Sequence, residues 1–310
     1  MPSARRKPSR FRRAFKRAGN AVVGAIVVGG LRLLSLTNPD KMAALGGWVM
    51  RKLGPWLNEH KIARANLTAA FPNKSAAEIE RILSDSWDNL GRVGTEIAHL
   101  DKLWDYDFDH PERSRRIEIP AESAARFVQL REDDKPALIF CAHLANWELP
   151  AVCAAKNRLV SAALYRRPNI AAIDRWLHET REANMGTLIA TGPTAPVKIA
   201  HALNRGTHVG MLVDQYYVRG VEVDFFGRRT NANPLLARLA QHIDCPIHGA
   251  RIIRLPNHRF RVELTDAIAP VRTTDGAVDV AATTQIIIST IEGWIREHPE
   301  QWLWQHRRWR

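Results

Sequence analysis

From residue 136 to residue 297, short apolar runs alternate with segments of helical periodicity, and this alternation restricts the fold more than any other feature. The runs suited to buried strands are PALIFCA (136–142), LVSAALY (159–165), TLIAT (187–191) and THVGMLVDQ (207–215). The helical segments are residues 147–156, 170–186, 195–206, 233–243 and 279–297. Strands separated by such helices predict an α/β fold, with a mostly parallel central sheet flanked by helices.

The remaining segments complete the predicted organisation of the chain. Residues 246–255 and 259–265 predict a hairpin across a Pro-Asn-His turn, and residues 58–132 read as helical. No internal repeat or low-complexity linker interrupts the sequence after residue 58. We therefore expect a single α/β domain over 58–310, preceded by a basic tail (1–20) and a membrane-anchoring helical segment (21–57).

The positive charge is concentrated at the ends of the chain. Nine basic and no acidic residues precede Asp40, and three arginines stand among the last five residues. Subtracting these twelve charges from the net charge of +13 leaves +1 for residues 40–305. A nearly neutral body argues against nucleic-acid binding, whereas a basic tail beside an apolar segment is typical of contact with anionic membrane lipids.

The apolar stretch AVVGAIVVGGLRLLSL (21–36) follows the basic tail. It is shorter than the about 20 residues of a bilayer span, Arg32 interrupts it, and no typical signal-peptide cleavage site follows. With Trp48 and Trp56 further on, the segment favours an anchor in the membrane interface, and a buried amphipathic helix is the alternative. Three cysteines without metal or disulfide spacing indicate a reducing compartment, so we expect the body on the cytoplasmic face.

The segment CAHLANWELP (141–150) carries the candidate chemistry. His143 follows a predicted strand, and Glu148 comes five positions later at the start of the next helix. At such a turn the carboxylate can orient the imidazole, whose free nitrogen then takes a proton from a hydroxyl. The alternative is a polar turn histidine bonded to backbone. Cys141 fits either a nucleophile or, more commonly, a small apolar filler of the strand.

Asp214 also follows a predicted strand, within GMLVDQ (210–215). In open α/β sheets, sites form outside the carboxyl ends of the strands, where both His143 and Asp214 are expected. Helix capping is the alternative role for Asp214.

Further segments accompany HLANWE in order: YRRP (165–168), a helix with Arg181 that ends at Gly186, GMLVDQ, VDFFG (223–227) and the closing HPEQWLWQHRRWR (298–310). In this order and spacing the chain resembles, over nearly its whole length, the late acyltransferases of lipid A biosynthesis. These enzymes add lauroyl or myristoyl chains to Kdo-modified lipid A precursors. The chain departs from them at RRTNANP (228–234), where they usually have small residues with a threonine or serine.

The resemblance implies a fold like that of glycerolipid and lysophospholipid acyltransferases, anchored to the inner membrane of a Gram-negative bacterium. It implies an acyl carrier protein thioester as donor, a lipid A precursor hydroxyl as acceptor, and no metal or bound cofactor. His143 would be the general base and Glu148 its orienting partner. Arg166 and Arg181 would contact phosphate or the oxyanion, and Asp214 with Gln215 would position the site or the acceptor sugar.

The closing segment holds three tryptophans and three arginines of interest: Trp302, Trp304, Trp309, Arg307, Arg308 and Arg310. The tryptophans predict either a membrane-interface edge or packing of the last segment, and the arginines are candidates for lipid phosphates. Phe225 and Phe226 indicate core or acyl-pocket lining. Two alternative functions stay open: acyl transfer to a glycerophospholipid or glycolipid, and a non-catalytic basic protein that binds membranes or nucleic acid. Acyl chain length and acceptor position do not follow from the sequence.

Overall fold

A computed structural model describes the backbone of residues 10–310 and the side chains from residue 19 onward, so residues 1–9 of the predicted basic tail lie outside the described residues. The α-helices are α1 (Arg10–Ser35), α2 (Pro39–Leu53), α3 (Asn58–Ala70), α4 (Ala76–Glu96), α5 (Leu100–Leu103), α6 (Ala121–Glu132), α7 (Leu149–Lys156), α8 (Ala171–Met185), α9 (Ala195–Leu203), α10 (Leu235–Ala240) and α11 (Val280–Glu297). Short 3₁₀ turns cover Gly54–Trp56, Ile97–His99, Pro111–Arg113 and Pro299–Gln301.

The strands are β1 (Ile117–Glu118), β2 (Leu138–Cys141), β3 (Ser161–Tyr165), β4 (Thr187–Ala190), β5 (His208–Leu212), β6 (Val221–Phe225), β7 (Arg228–Ala232), β8 (Ile247–Leu255) and β9 (Arg259–Leu264). Seven of them form one sheet in the order β1-β9-β8-β2-β5-β3-β4, and β6 and β7 form a separate antiparallel pair. The central strands β8, β2, β5, β3 and β4 pair in parallel. The prediction of an α/β fold with a mostly parallel sheet is confirmed.

Two segments differ from the sequence expectation. The predicted helical region 58–132 also contains an irregular stretch after α5 and the short strand β1, which pairs with β9. The hairpin of β6 and β7 was not predicted, because its second strand, RRTNA, has no apolar alternation. By contrast, the predicted hairpin of β8 and β9 is confirmed, with left-handed backbone at Asn257 and His258 in its turn.

The predicted anchoring segment forms two helices that pack on the body. Helix α1 contacts α8, and α2 lies so close to α4 that an added Cβ at Gly91 would come 2.1 Å from the carbonyl oxygen of Gly46. Apolar side chains of this segment nevertheless remain exposed, among them Ile26, Leu33 and Trp48 on the helices and Trp56 in the following 3₁₀ turn, the last at 88%. Within residues 10–310, no helix combines the length and the apolar character that crossing a bilayer requires.

The register of β2 and β5 determines where polar side chains meet. These neighbouring parallel strands align Cys141 with Leu212 at their carboxyl ends. Strand β2 is buried on both faces, so it can only carry apolar residues until it leaves the sheet. The first polar residues after each strand, His143 and Asp214, therefore emerge next to each other at the edge of the sheet.

Candidate active site

His143 and Asp214 form a hydrogen-bonded pair at the carboxyl ends of β2 and β5. His143 Nδ1 lies 2.8 Å from Asp214 Oδ1, and the backbone N–H of His143 donates to Oδ2 at 2.9 Å. Because an ionised carboxylate only accepts hydrogen bonds, the proton of the neutral imidazole belongs on Nδ1. The lone pair is then on Nε2, the nitrogen that is free to act as a base.

Asp214 is 1% exposed and still ionised at neutral pH. Burial by itself raises the pKa of this carboxyl. The positive charge of protonated His143 and hydrogen bonds from His143 and Trp302 outweigh burial and lower the pKa to about 2. Trp302 donates from Nε1 to Oδ2 at 2.7 Å. A tryptophan that the sequence suggested only for packing or a membrane edge therefore holds the carboxylate of the site.

The turn between β2 and α7 is held by the C-terminal segment. Leu144 forms an antiparallel bridge with Trp302, and the N–H of Ala145 donates to the carbonyl of Gln301 at 2.9 Å. The N–H of Leu303 donates to the carbonyl of His143 at 3.1 Å. Ala145 has a φ of 48°, a left-handed conformation that is unfavourable for a residue with a Cβ. The closing PEQWL sequence thus stabilises a turn geometry that HLANWE alone would not favour.

A buried ion pair and its hydrogen-bonded neighbours also hold the turn between β2 and α7. Arg254 donates to both carboxylate oxygens of Glu96, at 2.5 and 2.9 Å, and Glu96 is 2% exposed. Asn146 Nδ2 donates to Glu96 Oε2 at 2.8 Å, while Asn89 Nδ2 donates to the carbonyl of Ala145 at 3.2 Å. Sequence reasoning missed Glu96, Arg254 and Asn89, because each lies far along the chain from the turn and none follows a recognisable motif.

Glu148 pairs with Arg181 and not with His143. Arg181 Nε donates to Glu148 Oε2 at 2.9 Å, and Nη2 donates to Oε1 at 2.6 Å. The expectation that Glu148 is the orienting partner of the imidazole is therefore wrong. The register of β2 and β5 already fills Nδ1 with Asp214, and the planar guanidinium of Arg181 matches the two oxygens of Glu148.

An apolar cavity of about 530 Å³ opens beside the imidazole. Gln215 lies at its mouth, where its Nε2 is 3.3 Å from His143 Nε2, a distance that suits an amide N–H donating to the lone pair. The exposed Arg166 also borders the cavity. The structure thus gathers the predicted site residues in one place: His143, Glu148, Arg166, Arg181 and Gln215 line the cavity, and Asp214 lies behind His143.

The family is decided by a match over almost the whole chain. The sequence profile described as bacterial lipid A biosynthesis acyltransferase matches residues 9–310. The chain belongs to this family. No curated protein matches the chain. The chain is therefore an acyltransferase of the lipid A biosynthesis family, whose members act on lipid A precursors. The match includes both the strand ends that carry His143 and Asp214 and the C-terminal segment that holds them.

Part of the closing segment packs into the acyltransferase. Trp302 and Trp304 are buried, as the packing alternative predicts for them. Arg308 is 0% exposed and donates to the Thr230 hydroxyl at 2.9 Å and to the Asn231 carbonyl at 3.0 Å. The expectation that Arg308 meets lipid phosphates is wrong, because the β6–β7 hairpin encloses its guanidinium. Arg307 and Arg310 are exposed.

Buried apolar roles also apply to Cys141 and to the phenylalanines of VDFFG. Cys141 borders the cavity, and burial together with the charge of Asp214 raises its pKa to about 12. A thiol with that pKa holds almost no thiolate at neutral pH, which favours the filler role over the nucleophile. Phe225 and Phe226 belong to the main hydrophobic core.

Proposed function

We propose that this acyltransferase moves a fatty acyl chain from the thioester of an acyl carrier protein to a hydroxyl of a Kdo-modified lipid A precursor. The observation that carries the proposal is the His143–Asp214 pair at the mouth of an apolar cavity. A base with its lone pair on Nε2 at the cavity mouth suits deprotonation of a hydroxyl that takes the place of the Gln215 amide, and the cavity suits a long alkyl chain. The family match supports the acceptor class.

The proposed reaction is a direct transfer. His143 Nε2 takes the proton of the acceptor hydroxyl, and the oxygen attacks the thioester carbonyl carbon. A carbon–oxygen bond forms, the tetrahedral oxyanion collapses, and the carbon–sulfur bond breaks. The imidazolium, stabilised by Asp214, returns its proton to the leaving thiolate of the carrier's prosthetic group. The reaction as proposed uses no metal or bound cofactor.

The arginines receive electrostatic roles. Glu148 holds the guanidinium of Arg181 at the cavity, and we assign Arg181 to the side of the carbonyl on which the oxyanion develops. Arg166 is exposed at the mouth and has no ion pair among the described residues, so it suits a phosphate of the acceptor or of the carrier's prosthetic group. The positive charge of Arg166 at the mouth also favours docking of the acidic carrier protein.

The proposed location is the cytoplasmic face of the inner membrane of a Gram-negative bacterium. Exposed apolar side chains on α1, on α2 and on the 3₁₀ turn that follows α2, including Ile26, Leu33, Trp48 and Trp56, support insertion into the membrane interface. The basic residues at the start of the chain favour anionic lipids there. An interfacial anchor would bring the cavity mouth close to an acceptor that is itself a membrane lipid.

An assay in detergent tests the reaction. Purified full-length protein is mixed with a Kdo-modified lipid A precursor and carrier proteins that bear saturated chains of 8 to 16 carbons, and the products are weighed by mass spectrometry. We expect the mass gain of one acyl chain. The rate should fall by about 10²–10⁴-fold in His143→Ala, because general-base catalysis contributes about that factor. His201→Ala, an exposed histidine on α9, is the matched control and should keep the wild-type rate.

Three outcomes would contradict parts of the proposal. Activity that survives His143→Ala would remove the base assignment. Transfer only to a glycerophospholipid would replace the acceptor. Flotation with vesicles tests the membrane anchor separately: Trp48→Ala with Trp56→Ala should release protein from anionic vesicles, and equal binding by the variant would contradict an interfacial role for these side chains.

A further inference from the structure

The apolar cavity runs along one face of the central sheet. Successive strand residues alternate between the two faces, so the strand pairing tells which residues share this face. Ile139 in β2 aligns with Gly210 in β5, and Gly210 aligns with Ala163 in β3. All three border the cavity. The adjacent residues Leu138 and Val209 are on the opposite face, within the main core.

Small residues create the space. Gly210 lies in the middle of the face, next to Ala163, and helix α7 presents Ala151 and Ala154 to the same cavity. A Cβ added to Gly210 would meet no atom within 4 Å. The φ of Gly210 lies outside the left-handed region, so its backbone does not require glycine. Because glycine has no side chain, the centre of the cavity stays open.

The cavity has a mouth and a closed end. At the mouth lie His143 and Gln215, just beyond the carboxyl ends of β2 and β5. At the other end lie His208, the first residue of β5, and the buried Leu130 and Leu159. Burial lowers the pKa of His208, so its imidazole is neutral at pH 7 and compatible with an apolar surrounding.

The strands give the depth of the cavity. From Leu212 to His208 is four residues, about 13 Å at about 3.3 Å per residue. An extended alkyl chain, with bonds of about 1.5 Å, advances about 1.3 Å per methylene. About ten methylenes therefore fit between the mouth and His208, and the carbonyl and its neighbouring carbon occupy the space beside His143.

We propose that Gly210 and the closed end at His208 set the length of the donor acyl chain, and that they select a saturated acyl chain of about twelve carbons. This assignment rests on the proposed acyl transfer. Gly210 keeps the middle of the cavity open, about 7 Å below the mouth at two residues of strand. A large side chain there would leave room for only about five methylenes, so the preferred chain would shorten to about seven carbons, and among even-numbered donors the chain of 8 is the nearest match.

Donor competition tests the assignment. Full-length protein receives equimolar carrier proteins with chains of 8, 10, 12, 14 and 16 carbons, and product masses give relative kcat/KM. The wild type should prefer 12 carbons over 16 by at least tenfold. Gly210→Leu should lose at least tenfold on 12 carbons and prefer 8. Gly210→Ala, which adds one methyl group, should show a smaller shift in the same direction. This smaller variant keeps the test decisive if Gly210→Leu does not fold.

The matched control is Gly293→Leu. Gly293 is a partly exposed glycine of α11 with no neighbour within 4 Å of an added Cβ, and it lies outside the cavity lining. This variant should keep the wild-type preference. A Gly210→Leu enzyme that is folded and still prefers 12 carbons would overturn the assignment, as would a wild type that uses 10 to 16 carbons equally. No transfer by the wild type from any donor would instead refute the proposed function.

Discussion

Replacement of Asp214 by asparagine tests the pairing of carboxylate and imidazole. The carboxylate accepts three hydrogen bonds, two from His143 and one from the Trp302 indole, at 2.7 to 2.9 Å. Asparagine has the same shape but no charge, and only one of its two terminal atoms accepts. At least one of the buried N–H donors then faces an NH₂ group, and the imidazolium that forms during the reaction loses its counter-charge.

The expected loss of activity follows from these contacts. Hydrogen bonds to a charged group contribute about 1.5–3 kcal/mol each. Loss of two of them in the transition state corresponds to about 3–6 kcal/mol, or about 10²–10⁴ in kcat. The assay is acyl transfer in detergent, with Asp101→Asn, an exposed carboxyl on α5, as control. A folded Asp214→Asn enzyme with kcat within threefold of wild type would refute the role of Asp214.

The same substitution changes stability with pH. The pKa of Asp214 is about 2 in the folded protein and 3.8 in an ordinary environment. Because the folded value is lower, the ionised carboxylate stabilises the fold above about pH 4, and this contribution disappears as the pH falls through 2. The difference of about two pKa units corresponds to about 2–3 kcal/mol. Urea unfolding at pH 6 and pH 2.5 should show a smaller pH effect in Asp214→Asn than in wild type. An unchanged pH effect would contradict the lowered pKa.

Two further predictions concern the packing around the site. Arg254→Ala leaves the buried carboxylate of Glu96 without its charged partner, which should lower the free energy of unfolding by about 3–5 kcal/mol. Urea unfolding measures this change, and a loss below 1 kcal/mol would contradict a buried ion pair. Gly91→Ala places a Cβ 2.1 Å from the Gly46 carbonyl and should destabilise the protein by about 1–3 kcal/mol. The control is Gly94→Ala, which has no atom within 4 Å of its added Cβ and should be neutral or slightly stabilising in thermal unfolding. Equal effects of the two variants would contradict close packing of α2 and α4.

Local patterns predicted most of the central sheet. Each of β2, β3, β4 and β5 lies inside a predicted apolar run, because a strand covered on both faces must be apolar along its whole length. The hairpin of β6 and β7 escaped prediction for the opposite reason. The strand RRTNA is polar. Hydrogen bonds from distant Arg308 to this strand, and contacts of its partner β6 with α11, take the place of an apolar pattern.

The predicted site residues lie together in the structure, and one predicted pairing differs from the observed one. His143 and Asp214 were both expected at the carboxyl ends of strands, which is a consequence of chain topology. Which carboxylate reaches the imidazole depends on the register between β2 and β5, and no local pattern encodes that register. Glu148, only five residues from His143, is instead bound by Arg181 from α8.

The sequence by itself determined the fold class, the strand ends that carry His143 and Asp214, and the charge of the chain ends. These properties depend on residue order and on the periodicities of strands and helices. Residues close together along the chain are enough to show both. Only the tertiary structure decided the Asp214 pairing, the buried Glu96–Arg254 support and the open space at Gly210. Each of those requires groups from separate elements to meet, and their distances are set by packing of the whole domain and not by spacing along the chain.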